Sequence, residues 1–415
     1  MRVLWVSGRL IGPAASIINS DYQGTSGGWI QTEYDDLNKT DIEMFYLAGV
    51  KSAHSVKKKD NVYCVQLPKV SNGINAPRSL VSEIDRIVNE IAPDVIQLWG
   101  TETCLQEAVS KVAPTIPKVV FIQGLIGMHD RYRGGYMDRT DKSYGRSISI
   151  PKKIEIEIRR IAFKRQIVIE QSILKRCKNV IVDNDYSRAY CYSVSKNIRF
   201  FNRQLNANGC FKSKSWDITS AVKYSLFTVY GGSPDKGLHQ LLKALVLVKR
   251  EIHDIKLRVP GPFKLDKNGV MIRENASSYE KWISSFIQKN DLVGNVEFIG
   301  SKTQSEMAEE AMKANVFVNP SCMEVHALSL REAMTVGVPC ISSLCGSVSE
   351  YLHSGENGIL YRYEEHEVLA YNIIKLFKDD NLAIRLGRNA RNDMLSATES
   401  NVSIPLEEIY KEIVK

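Results

Sequence analysis

No stretch of this 415-residue sequence approaches the roughly 20 consecutive apolar residues that a membrane-spanning helix needs. The apolar run nearest the start, VLWV at 3–6, is too short for the core of a secretory signal and reads as a first strand instead. The eight cysteines are scattered without a C-x-x-C, and the seven histidines form no paired cluster. That pattern argues against structural zinc and against a disulfide-built secreted scaffold. Reduced thiols of a cytoplasmic protein are the simpler account. Neither G-x-x-x-x-G-K-[ST] nor G-x-G-x-x-G occurs, which removes the P-loop and the dinucleotide fingerprint. No internal repeat or low-complexity tract is found.

What remains is the balance of a globular protein, with 44% hydrophobic and 25% charged residues. At this length two domains are expected rather than one core. The net charge of +8 is concentrated: residues 131–180 carry 14 Lys/Arg against 5 Asp/Glu.

Along the chain, short apolar runs alternate with helical patterns. Strands are expected at 3–6, 43–47, 62–67, 94–99, 118–123 and 179–183, with a helix over 79–91 whose Leu80, Ile84, Ile87 and Ile91 share a face. Such interleaving implies a parallel sheet wound on both faces. The stretch 195–220 reads as irregular and polar, with an interdomain link near Ile218. The rhythm then restarts. The run 224–230 leads into a Gly-rich turn, Gly231-Gly232-Ser-Pro-Asp-Lys236-Gly237, followed by a helical segment. A turn of this kind, ending in Lys-Gly between strand and helix, suits a phosphate.

The most informative stretch is 316–350, VFVNPSCMEVHALSLREAMTVGVPCISSLCGSVSE. A buried strand closes at Asn319-Pro320, a loop carries Glu324, a helix follows and stops at Gly337, and a second strand begins after Pro339. This order places a helix N-terminus at the carboxyl edge of a parallel sheet, where free N–H groups favour phosphate. Glu324 and Glu332 would flank that seat, and carboxylates there suit sugar hydroxyls. A second reading stays open: Ser329 and Glu332 fit an S-x-x-E capping box, in which the glutamate only satisfies a backbone N–H.

These residues in this order resemble the E-x7-E region of retaining GT-B-type glycosyltransferases. The matching positions are Pro320-Ser321, Glu324, Glu332-Ala333-Met334, Gly337-Val338-Pro339, Gly346 to Glu350, and Gly355 with Gly358. The resemblance is dense over 224–395 and closest to members that build bacterial surface polysaccharides. It implies an α/β protein of two facing Rossmann-like domains with a cleft between them. The domains would be 1–217, joined by a C-terminal helix within 396–415 that packs back on it, and 218–395, which would bind the nucleotide sugar. It also implies that Glu332 holds a ribose, that Glu324 lies near the donor sugar, and that amides of Ala327, Leu328 and Ser329 hold the diphosphate. Lys236 matches a phosphate-gripping lysine beside Gly232. The accompanying arginine position falls on Gly231, so one cation is missing. Ser301 would face the base, Gly28 the donor phosphates and Gly27 the acceptor. Gln123 stands where many relatives carry histidine. A glutamine there positions substrate but cannot act as a base at neutral pH.

For Pro151 to Lys178, an ordinary amphipathic domain helix competes with a basic surface that docks on anionic lipid at the inner face of the cytoplasmic membrane. The expected function is transfer of a hexose from a nucleotide sugar, UDP- before GDP-linked, to a glycan or lipid-linked glycan, without metal or other cofactor. The rivals are a sugar-nucleotide epimerase and an inactive glycan- or nucleotide-sugar-binding homologue. Nucleic acid is not an expected partner, because no recognition motif accompanies the charge.

Overall fold

The computed structural model describes all residues except 20–27, 51–56, 69–71, 73, 138–149, 206, 208, 231, 262, 264, 267, 271, 273–275 and 400–402. The chain divides into two compact units: Met1–Arg131, Ser149–Asn206 and Asn401–Lys415 form the first, and Tyr132–Ile148 with Ala207–Ser400 the second.

The first unit is built on strands β1 (Arg2–Ser7), β2 (Glu43–Val50), β3 (Lys58–Lys59), β4 (Val62–Gln66), β5 (Val95–Trp99), β6 (Lys118–Phe121), β7 (Asn179–Val182) and β8 (Arg199–Asn202). Their order is β3-β4-β2-β1-β5-β6-β7-β8, parallel throughout except for the antiparallel edge strand β3. The central strands are apolar without alternation because helices cover both faces. An aromatic chain crosses them: Trp5 meets Tyr46 and Trp99 edge-on at 6.1 and 5.0 Å, and Trp99 stacks on Phe121 at 4.9 Å. Strand β8 lies in the stretch expected to be irregular. Its RFFN sequence is disguised by charge, but Phe201 is buried and the guanidinium groups of Arg188 and Arg199 lie over the rings of Phe200 and Phe201.

The C-terminal helix Leu406–Val414 belongs to this unit through Tyr410. The Tyr410 hydroxyl accepts from Trp5 Nε1 at 2.9 Å and donates to Gln97 Oε1 at 2.6 Å. Arg203 adds a second tie: its guanidinium donates to the Ile404 carbonyl at 3.5 Å while pairing with Glu33 at 2.9 Å and Asp36 at 3.3 Å.

The second unit has strands β9 (Ser225–Phe227), β10 (Lys256–Val259), β11 (Val296–Phe298), β12 (Val316–Asn319), β13 (Cys340–Ser343) and β14 (Ile359–Tyr361), all parallel in the order β11-β10-β9-β12-β13-β14. Side chains alternate between two cores, as the pleat requires. Val316 and Val318 enter the core under helices Leu238–Lys249, Ser278–Lys289 and His366–Lys378, while Phe317 enters the one under Gln304–Lys313 and Leu328–Val336.

The boundaries differ from those expected at 217/218 and 395/396. Residues 207–217 join the second unit because Phe211 is buried in its core and Trp216 bonds the carbonyls of Val336 and Ala314 at 2.9 and 2.7 Å. The guanidinium of Arg391 bonds the carbonyls of Lys212 and Lys214 at 2.9 and 2.7 Å. At the other end, helix Asp380–Glu399 runs on past 395, so only 401–415 joins the first unit.

Candidate functional site

Three loops at the carboxyl edge of the second sheet are bound to one another. After β9, Gly232 and Gly237 take left-handed φ of 87° and 68° around the short helix Pro234–Lys236. After β12, residues 320–327 carry Glu324. After β13 comes Gly346. The Cys322 N–H donates to the Asp235 carbonyl at 2.8 Å, and the Ser347 N–H donates to the Glu324 carbonyl at 3.1 Å. Ser347 Oγ donates to the Val325 carbonyl at 2.7 Å, and Ser343 Oγ donates to the Ser321 carbonyl. Glycine is required at two contacts: a Cβ on Gly237 would lie 1.8 Å from the Pro320 carbonyl oxygen, and one on Gly346 1.8 Å from that of Glu324.

This frame aims two side chains at each other. Lys236 Nζ lies 2.8 Å from Glu324 Oε1. Burial alone would lower the Lys236 amine, but the charge and hydrogen bond of Glu324, with Asp235 nearby, outweigh it and hold the amine above its usual value. Beyond Glu324 the helix Leu328–Val336 starts from Ala327, which has a left-handed φ of 46° and gives no side-chain cap. The first amides of this helix therefore keep the positive end of the dipole unscreened by a capping oxygen. A left-handed alanine is itself a strained choice.

The capping-box reading of Ser329 and Glu332 is overturned here, since the helix begins at Ala327 with no side-chain cap. Burial instead pushes the Glu332 carboxyl up to about 8, only partly offset by Arg331. The Arg331 guanidinium lies 4.7 Å from the centre of the Tyr351 ring. Ser301 is exposed and follows Gly300 after β11, at the same sheet edge.

The other expected site residues belong to the first unit. Gln123 follows β6, and its buried Nε2 has no hydrogen-bond partner among the described residues. Gly28 opens helix Gly28–Leu37, whereas Gly27 lies outside the described residues, as does Gly231 of the second unit. One residue not singled out from the sequence is Glu102, beyond the carboxyl end of β5. Burial pushes its carboxyl up to about 7, and nearby Glu170 adds to the rise while backbone N–H groups of Glu102 and Thr101 oppose it. Glu102 Oε1 would sit 3.5 Å from a Cβ on Gly124, the neighbour of Gln123. The only signal in the sequence is an acid three residues past an apolar strand.

Two open parallel-sheet units, the second with an uncapped helix start beside a lysine and two glutamates at its carboxyl edge, define a GT-B-type α/β protein. Residues 219–393 match the family model described as Glycosyl transferases group 1. Over 180 residues, 43% of the chain, it is 27% identical to an uncharacterized glycosyltransferase of Methanocaldococcus jannaschii. The match spans less than half the length of the curated relatives: 46% of that protein and 16% of the sucrose-phosphate synthase of Zea mays. The sucrose-phosphate synthase structure from Thermosynechococcus elongatus aligns over 100% of this chain and 97% of its own, at a TM-score of 0.68 and 17% identity. Anabaena HepE in complex with UDP-glucose aligns over 100% and 98%, at 0.62 and 15%. At these identities the likeness is one of fold.

Proposed function

We propose that this protein is a retaining, metal-independent hexosyltransferase that takes its sugar from a UDP-linked donor and gives it to a glycan, in the assembly of a bacterial surface polysaccharide. The observation that carries the reading is the juxtaposition, inside the family-matched segment, of Lys236 and Glu324 with the uncapped start of helix Leu328–Val336. The choice of UDP is supported by the HepE complex with UDP-glucose.

In this reading the sugar C1–oxygen bond breaks and its electron pair passes to the β-phosphate oxygen. Amides of Ala327, Leu328 and Ser329 and the Lys236 ammonium receive that charge, so a metal is not required for it. The acceptor hydroxyl bonds C1 from the same face and gives its proton to the departing phosphate. Glu324 orients sugar hydroxyls. A carboxylate already paired with an ammonium is a poor nucleophile, which favours this role over a covalent one. Glu332 binds the ribose, Gly232 admits the phosphates, and Ser301 faces the base. Gln123 serves the acceptor in this reading.

The acceptor is lipid-linked in this reading, and the basic helix Ile150–Arg176 brings the enzyme to the membrane. Its exposed Ile158, Ile161 and Val168 stand among exposed Arg160, Lys164 and Arg165, the mixture that suits an anionic bilayer surface. Among the described residues no helix is long and apolar enough to cross a membrane.

The test is incubation with radiolabelled UDP-, GDP- and ADP-sugars, with and without EDTA, on extracted lipid-linked glycans. Label passing to the lipid fraction with retained anomeric configuration, unaffected by EDTA, is expected. Isomerised sugar without transfer would assign an epimerase, and binding without turnover an inactive homologue.

A further inference from the structure

Residues 132–137, Tyr-Arg-Gly-Gly-Tyr-Met, occur in the first half of the sequence but fold with the second unit. Gly135 holds them there. Its carbonyl accepts from the Tyr363 hydroxyl at 2.7 Å and from His239 Nε2 at 3.0 Å. A carbonyl can only accept, so Nε2 carries the imidazole proton and Nδ1 accepts from the Tyr279 hydroxyl at 2.8 Å. Met137 packs on the core, and a Cβ on Gly135 would lie 2.2 Å from the Pro234 carbonyl oxygen. The backbone is left-handed at Gly134, Gly135 and Tyr136 in succession, with φ of 92°, 59° and 51°. Glycine takes this conformation freely, whereas a bulky tyrosine seldom does.

The strain presents a ring rather than burying one. Tyr136 is 59% exposed, although Gly135 before it is buried and Met137 after it is packed on the core. Strain of this kind persists where the surroundings over-determine it, and it gathers at ligand-binding positions. Two neighbours set the place of the ring: its centre lies 6.1 Å from that of Tyr132 and 6.1 Å from that of Tyr363. Tyr363 in turn borders the proposed donor site, since its Cε2 would lie 3.0 Å from a Cβ on Gly237, the residue after Lys236. The Tyr132 carbonyl receives the Cys322 thiol at 3.7 Å, two residues before Glu324. Partial burial, with Tyr132, Cys322 and Glu364 close by, holds the Tyr136 hydroxyl above its usual value. The Tyr136 ring therefore stands at the rim of the loops that carry Lys236 and Glu324, with most of it open to solvent.

The chemistry of that rim differs from the seat it borders. Lys236 and Glu324 are charged and largely withdrawn from water, which suits a diphosphate and the hydroxyls of its sugar. An open tyrosine offers a flat apolar face with a hydroxyl at its edge. A pyranose matches that face: C–H bonds on one side of the sugar ring point at the electron-rich π cloud, while its hydroxyls turn outward to water. The donor already has a polar seat, so the sugar that meets a solvent-facing ring is the one arriving from solution.

Resting on the function proposed above, we infer that Tyr136 is a binding platform for the acceptor glycan, its ring stacking on a pyranose of the acceptor at the edge of the donor site. The contact is non-covalent and moves no proton. It gives the second unit an acceptor contact of its own, on a segment that the chain inserts between Arg131 and Ser149 of the first.

Initial rates of the full chain test this in wild type, Tyr136→Phe and Tyr136→Ala. The donor is whichever radiolabelled UDP-, GDP- or ADP-sugar wild type turns over, and the acceptor is the extracted lipid-linked glycan, dosed by hexose content. Tyr136→Ala is expected to raise the KM for the glycan extract roughly tenfold and to leave the KM for the nucleotide sugar unchanged. Tyr136→Phe keeps the aromatic face and should stay close to wild type in both. An unchanged glycan KM in Tyr136→Ala would overturn the inference. So would a parallel rise in both KM values, which would place the ring at the donor or in the scaffold. Tyr136→Phe as impaired as Tyr136→Ala would overturn stacking and assign the contact to the hydroxyl. A wild type that turns over none of the three donors overturns the proposed function and this inference with it, a result seen before any variant is compared.

Discussion

Lys236 and Glu324, 88 positions apart in sequence, meet at 2.8 Å at the carboxyl edge of the second sheet. Each is largely withdrawn from water, with 29% and 12% of their side chains exposed. The lysine proposed to grip the diphosphate is therefore compensated before any donor arrives. Lys236→Ala should lower kcat by at least tenfold, toward the roughly hundredfold, or ~3 kcal/mol, expected for a lost charge stabiliser. It should also lower Tm by leaving Glu324 buried without its partner. Lys236→Ala combined with Glu324→Gln should recover Tm without recovering turnover. Thermal melts alongside initial rates separate the two effects, and an unchanged rate in Lys236→Ala would remove it from the chemistry.

Glu332 gives a pH signature. Its carboxyl titrates near 8 in the fold against about 4.5 in a solvated chain, because burial disfavours its charge. A group raised on folding stabilises most below its unfolded pKa, so this contribution is full below pH 4.5 and is lost as pH rises through 8. Glu332→Gln should flatten that part of the stability profile, measured by urea melts from pH 5 to 9. In the proposed function a ribose hydroxyl donates to the ionised carboxylate, so nucleotide binding should release a proton near pH 7. Calorimetry in buffers of different ionisation enthalpy reads that proton, and Glu332→Ala should abolish it and weaken binding.

The basic helix predicts a lipid dependence. Reversing Arg160, Lys164 and Arg165 to glutamate should weaken binding to phosphatidylserine vesicles by a hundredfold or more, at about 1 kcal/mol per basic residue near the surface. Flotation assays check it, with neutral vesicles as the control. Undiminished flotation would return Ile150–Arg176 to the role of an ordinary domain helix.

Tyr410 predicts a change in stability rather than chemistry. Tyr410→Phe removes the hydroxyl shared by Trp5 and Gln97, stranding two buried groups. A loss of about 1–3 kcal/mol is expected. It should appear as a lower midpoint in denaturant, with kcat unchanged where the variant is folded.

The parts of this structure legible in the sequence were those governed by local rules. The Val316–Ser343 stretch announces itself because a strand buried on both faces is uniformly apolar and Gly337, at φ 91°, ends its helix. Strand Arg199–Asn202 was hidden by arginines that cover aromatic rings rather than reach for water. The start of Leu328–Val336 was misjudged in one reading, since a left-handed Ala327 can begin a helix without the capping oxygen that sequence patterns look for. Long-range pairings left no trace. No spacing rule links Lys236 to Glu324, or Gly135 to His239 and Tyr363. The positions expected to matter were readable, but the ion pair that joins two of them was not.

The close approach at Gly346 bears on how such a site can change. Its α-carbon abuts the main chain of Glu324 so tightly that any methyl group would displace that carboxylate's anchor point. Under the proposed function, donor preference would therefore drift only through the side chains that surround a fixed scaffold. A library randomised at codon 346 and selected for turnover should return glycine alone.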